Sequence, residues 1–93
     1  MTFKIVIEDE ALSDLQNIYK YILNQDTENK AKNFLSELQT AISTLNTMPN
    51  RCRSSYYNDD VDVKDLIYKS YTIVFKVLDE RVHILSVFRQ RKY

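Results

Sequence analysis

The chain has 93 residues, enough for one small domain spanning 1–93; a domain of this size buries about 60–65% of the surface its unfolded chain exposes, so its core is modest. Thirteen basic and thirteen acidic residues cancel to a formal net charge of zero, which excludes the strongly basic class of nucleic-acid binders, and the 44% hydrophobic content with plentiful aromatics excludes intrinsic disorder. A single cysteine, Cys52, excludes an internal disulfide, and no apolar run approaches the roughly 20 residues of a membrane-spanning helix.

The first ten residues, MTFKIVIEDE, lack the basic segment and apolar run of a signal peptide, and the expectation is a soluble cytoplasmic protein. The charge is unevenly spread. Asp59, Asp60, Asp62 and Asp65 make the middle acidic, Arg89, Arg91 and Lys92 make the end basic, and Arg51 with Arg53 adds a second basic spot. Glycine is absent, so tight turns fall to Asn, Asp, Ser or Lys, and left-handed turn positions carry strain that glycine avoids.

Phe3, Ile5 and Ile7 alternate with Lys4, Val6 and Glu8, which predicts a strand with one apolar face. Asp9 is the expected cap of a helix running to about Asn24. Ala11, Leu15, Ile18 and Ile22 share its inner face, and Leu12, Tyr19 and Leu23 widen the stripe. Asn24-Gln25-Asp26 breaks the pattern, and Asp26 or Thr27 caps a second helix reaching about Thr47. Its face is Ala31, Phe34, Leu35, Leu38, Ala41, Ile42 and Leu45. The short break implies an antiparallel helical hairpin, and Met48-Pro49-Asn50 ends it.

Residues 50–62 read as a polar loop carrying Arg51, Arg53, Tyr56 and Tyr57. Three strands follow: VKDLIY; SYTIVFKVL, with Tyr71, Ile73, Phe75 and Val77 on one face; and, after an Asp79-Glu80 turn, RVHILSVF leading into the tail RQRKY. The last strand is apolar on both faces, which suits an interior position. The order β-α-α-β-β-β describes an α+β domain. Its mostly antiparallel, twisted sheet carries the helical hairpin on one face and leaves the other partly open, with the polar loop and the basic tail at the rim.

This order, with these residues, resembles the RelE/ParE superfamily of type II toxin–antitoxin toxins over nearly the whole chain. The matching fragments are Ala11, Asp14, Leu15, Ile18, Tyr21 and Ile22 in the first helix, then Ile42, Leu45 and Pro49. Lys64, Leu66, Tyr71, Ile73, Phe75 and Val77 follow, and Val82, Ile84, Leu85, Val87, Arg89 and Arg91 close the set. The resemblance implies one of two activities. RelE-like members cleave mRNA on the ribosome without metal; ParE-like members, often labelled plasmid-stabilisation toxins, inhibit DNA gyrase. Both are neutralised by a cognate antitoxin protein, through which alone they meet operator DNA. No cofactor and no membrane partner is implied.

Metal-free RNA cleavage needs a base for the 2′-OH, cations for the phosphorane and an acid for the leaving oxygen. Where those nucleases carry an arginine after the tyrosine of this strand, the chain has Thr72, and VDVKDLIY holds one lysine against two aspartates. The departure favours the ParE-like branch. In the nuclease reading, Lys64, His83, Arg89, Arg91 and Tyr93 are the catalytic candidates. In either reading, Arg51, Arg53, Lys64, Arg89, Arg91 and Lys92 are candidates for contact with target or antitoxin.

Each candidate has a plainer reading beside it. His83, the only histidine, suits a general base, or is an edge-of-core residue between Val82 and Ile84. Lys64 occupies a position where the family usually has arginine, or is a solvated strand lysine. Arg89, Arg91 and Lys92 form a contact tail or a solubilising terminus. Arg51 and Arg53 are binding residues or plain loop surface. Tyr56 and Tyr57 stack on a base or pack the loop onto the sheet, and Tyr93 is an acid or a frayed end. Cys52 has no Cys-His constellation around it in sequence, and neither metal-ligand spacing nor a glycine-rich phosphate loop is present.

Overall fold

A computed structural model describes residues 2–47, 53–54 and 62–89, of which 53 and 54 are described by backbone alone. The element order is β1 (Lys4–Ile7), α1 (Asp9–Gln25), α2 (Glu28–Ser43), a 3-10 turn (Thr44–Asn46), β2 (Arg53–Ser54), β3 (Val63–Tyr68), β4 (Tyr71–Leu78) and β5 (Arg81–Arg89). The sheet order is β1-β5-β4-β3-β2. Only β1 and β5 run parallel, with Ile5 beside Val82 and Ile7 beside Ile84; the other pairs are antiparallel. The expected α+β architecture is present, with one strand more than the sequence suggested. Arg53 and Ser54 pair with Asp65 and Lys64, so Arg53 stands in an edge strand and not in a loop. Two residues give no alternation to read.

The helix boundaries follow local chemistry. Thr27 Oγ1 accepts the Lys30 N–H at 3.2 Å, and Asp26 Oδ1 accepts the Thr27 N–H at 2.9 Å, so both cap candidates serve the start of α2. At α1 the expectation is corrected. Asp9 is already helical and the cap position is Glu8, whose side chain makes no capping hydrogen bond; its carboxylate is engaged by His83 instead, at 2.8 Å. Helix α2 tightens into the 3-10 turn before Thr47, and Met48-Pro49-Asn50 lies outside the described residues.

One core cluster joins Ala11, Leu15 and Ile18 of α1 and Leu38 and Ile42 of α2, with Leu45, to the sheet residues Tyr71, Ile73, Phe75, Val82, Ile84 and Val87. Ile22, Phe34, Leu35, Leu66, Tyr68 and Val77 pack around it. The widened α1 stripe is narrower than expected, because Leu12 and Leu23 are exposed. The opposite face of the sheet also departs from expectation. Val63, Asp65, Thr72 and Val74 point away from both helices, yet they are 2, 2, 0 and 6% exposed. That face is closed at its centre. Accordingly Tyr71 to Phe75 is one uninterrupted buried run, as in strands covered on both sides.

Both hairpins turn without glycine. Asp79 (φ 51°) and Glu80 (φ 64°) are left-handed, as the two-residue turn between β4 and β5 demands, and Lys69 (φ 54°) is left-handed between β3 and β4.

Candidate functional site

The site is built where β5 outruns β1. Strand β1 pairs with β5 only as far as Ile84; the Glu8 N–H adds one more bond, to the Ile84 carbonyl at 3.0 Å, and the chain then turns into α1. A bulge at Leu85, opposite the Val74–Phe75 step, shifts the register and turns the end of β5. Helix α1 lies along this end. Asp14, Asn17, Ile18 and Tyr21, spaced at three and four residues, share one flank of the helix and, with Tyr71, Val87 and Arg89, line a cleft of about 350 Å³.

Ile18, Tyr71 and Val87 are buried and form its floor, while Tyr21 is half exposed and Arg89 lies at the surface. Asp14 Oδ2 accepts the Val87 N–H at 2.9 Å. The rim thus presents a guanidinium, an amide and a phenol, with the Asp14 carboxylate beside them, around an apolar floor. The guanidinium meets a carboxylate or phosphate by charge-assisted hydrogen bonds, and the Asp14 carboxylate opposes an anion placed next to it.

A second cleft, of about 450 Å³, lies between α2 and β3, lined by Ser36, Glu37, Thr40, Ala41, Thr44, Leu66 and Tyr68. The hairpin lysine beside it is held in place. Lys69 Nζ lies 3.4 Å from the Glu37 carboxylate and 5.7 and 5.6 Å from the ring centres of Phe34 and Tyr68. None of the site residues expected from the sequence lines this cleft.

The sequence candidates are dispersed. Arg89 lies opposite Tyr71, on the helix-bearing face of the sheet. Lys64 is half-buried on that same face, between Ser54 and Phe75 in register. Four residue steps along β4 separate Phe75 from Tyr71, so Lys64 and Arg89 are displaced by about 13 Å along the strands and stand on strands to either side of β4. His83 is opposite Lys76, on the other face, and its Nδ1 is bonded to Glu8 Oε1 at 2.8 Å, with the histidine side chain 23% exposed. Arg53 lies opposite Asp65 in register. Arg51, Arg91, Lys92 and Tyr93, and also Cys52, Tyr56 and Tyr57, lie outside the described residues.

Sequence reasoning did not single out Asn17 for the site, and met Asp14 and Tyr21 only as parts of a family pattern; their common helix flank was the available signal. Among the described residues no group of three or more His, Cys, Asp or Glu side chains is placed to hold a metal ion, and no helix is long and apolar enough to cross a membrane.

Several solved structures share this fold, among them two from toxin–antitoxin systems. One is from the chromosomal ParDE toxin–antitoxin system of P. aeruginosa. It is 17% identical, with 97% of this chain and 98% of that chain covered and a TM-score of 0.84. The other is from the toxin–antitoxin complex RelBE2 of Mycobacterium tuberculosis. It is 16% identical, with 97% and 93% covered and a TM-score of 0.67. The architecture is therefore the fold of those two toxin–antitoxin structures. Residues 5–92 match the family model of the ParE toxin of the type II toxin–antitoxin system parDE, and the chain belongs to that family. No curated protein matches the sequence significantly.

Proposed function

We propose that this protein is the toxin of a type II toxin–antitoxin pair and inhibits DNA gyrase by binding it, a cognate antitoxin protein relieving the inhibition. Membership of the ParE family over residues 5–92 carries this reading. The mechanism is protein–protein inhibition: the rim around Arg89 with the half-exposed Tyr21, and the opposite flank of α1, where Leu12 and Leu23 are exposed, supply contact surface. Thr72 supports the same branch. It stands where the nuclease branch carries an arginine, and it is fully buried, out of reach of any nucleic acid. Purified protein titrated into a gyrase supercoiling reaction is expected to block supercoiling, with added antitoxin restoring it. Full supercoiling at saturating toxin sinks the proposal.

One observation favours a second reading, a ribosome-dependent mRNA endonuclease: the Arg89 guanidinium shares its cleft with Tyr21 and Tyr71, groups that hold phosphate and stack on bases. Against it, His83 and Arg89 lie on opposite faces of the sheet. Pulse-labelling in a bacterium expressing the protein alone separates the two. DNA synthesis stopping first supports gyrase as target; protein synthesis stopping first supports the nuclease; arrest of neither marks a non-toxic co-repressor that only binds its antitoxin.

A further inference from the structure

We infer that Asp14 is a positioning residue: its carboxylate replaces the strand that β5 lacks beyond Ile84, and so fixes where Arg89 is presented at the rim of the cleft. The inference rests on the toxin reading only for what Arg89 touches. The clamp itself rests on geometry. Beyond Ile84 no described strand lies on the β1 side of β5. Val87 is 2% exposed, so its backbone N–H has no access to bulk water and, unpaired, carries the desolvation penalty of a buried donor. Asp14, one and a half turns into α1, supplies the acceptor at 2.9 Å.

Together with the Glu8 N–H on the Ile84 carbonyl and the Glu8 carboxylate on His83, this bond pins α1 along β5 from its first residue. Arg89 follows Val87 by two residues and projects to the same face, opposite Tyr71. Without the Asp14 bond, the last residues of β5 keep backbone pairing among the described strands on the β4 side alone. A hydroxyl would also satisfy the amide. A carboxylate has in addition a second oxygen and a negative charge beside the cleft that Arg89 lines, which favours a guanidinium held over the cleft.

Three variants test it: Asp14→Leu, of similar size with no acceptor; Asp14→Asn, with a neutral acceptor; and Arg89→Ala. Amide hydrogen exchange is expected to be about tenfold faster at Val87 in Asp14→Leu, the loss of one hydrogen bond to a charged acceptor, and to rise by less in Asp14→Asn. Growth arrest on expression should weaken in Asp14→Leu and, because the charge beside Arg89 is lost, to a smaller degree in Asp14→Asn. In the Arg89→Ala background Asp14→Leu should weaken it no further, because residues that act through one another are non-additive; a merely structural role would add its own loss. Unchanged exchange at Val87, or losses that multiply, overturns the inference. If Asp14→Leu does not fold, exchange at Val87 in Asp14→Asn decides alone, an unchanged rate overturning the clamp. If the unaltered protein arrests no growth, the toxin reading falls while the exchange experiment still judges the clamp.

Discussion

Arg89 stands at the surface end of β5 with its neighbours in the cleft drawn from α1, so truncating it removes a contact group and little packing. Arg89→Ala is expected to weaken growth arrest measurably without abolishing it, while leaving the melting temperature within about 4 °C of the unaltered protein, since surface changes of this kind fall within roughly 0.5 kcal/mol. Plating efficiency and thermal melts on the same variant read both; arrest at full strength removes Arg89 from the contact surface. The basic tail was legible as a run of cations, but a run does not say which cation meets which helix. That information lies in Asp14, Asn17 and Tyr21, about 70 residues away in sequence. His83 shows the reverse. Alternation placed it beside the core correctly, while its bond to Glu8 depends on β1 and β5 running parallel, which alternation does not encode.

At the scale of elements, α2 begins as its residues prescribe. Thr27→Ala removes the oxygen that accepts the Lys30 N–H and is expected to cost about 1 kcal/mol, a fall of roughly 4–8 °C in melting temperature; no change would mean that the cap is idle. The Thr27 N–H, and then Lys30, hold the Asp26 carboxyl below its usual pKa. A carboxylate whose folded pKa is depressed stabilises above its unfolded pKa, and that contribution is lost as pH falls through the folded value. An NMR titration of Asp26 should therefore show a midpoint below the ordinary carboxylate range, and one at or above it contradicts the bond.

The β4–β5 turn is a different case. Glu80 is held at φ 64°, where a Cβ costs about 1–2 kcal/mol. Its carbonyl, which accepts the Lys4 N–H at 3.1 Å, is untouched by side-chain replacement. Glu80→Gly should raise the melting temperature by a few degrees, part of the gain being offset by a freer unfolded chain of about 0.4–1 kcal/mol; a lower one would show that the glutamate side chain contributes more than the strain. The helices and the three long strands were readable because each presents a full period of apolar residues. Strand β2 was not, because two residues carry no period, and the burial of Thr72 and Val74 on the far face was not, because alternation separates the two faces of a strand without saying what covers the second.

For the whole molecule, Phe75 is the largest fully buried side chain among the described residues, set in the central strand beneath both helices. Phe75→Ala should cost about 3–5 kcal/mol, a large share of the roughly 5–15 kcal/mol that holds a domain together. Urea unfolding should show a midpoint far below that of the unaltered protein, or no folded baseline. A loss under about 1 kcal/mol would place the core elsewhere. The parallel pairing of β1 with β5 sets the order of events during synthesis. Of the described strands, the earliest made has as its partner the latest, and α1 is pinned to residues that follow it by about 70 positions. At roughly 5–20 residues per second, β1 and α1 wait several seconds with no sheet to lie on, and long-range pairing of this kind is slow to form. Anything that recognises the nascent chain meets a bare amphipathic hairpin first; the completed fold, and whatever it acts on, can be engaged only after Arg81–Arg89 has left the ribosome.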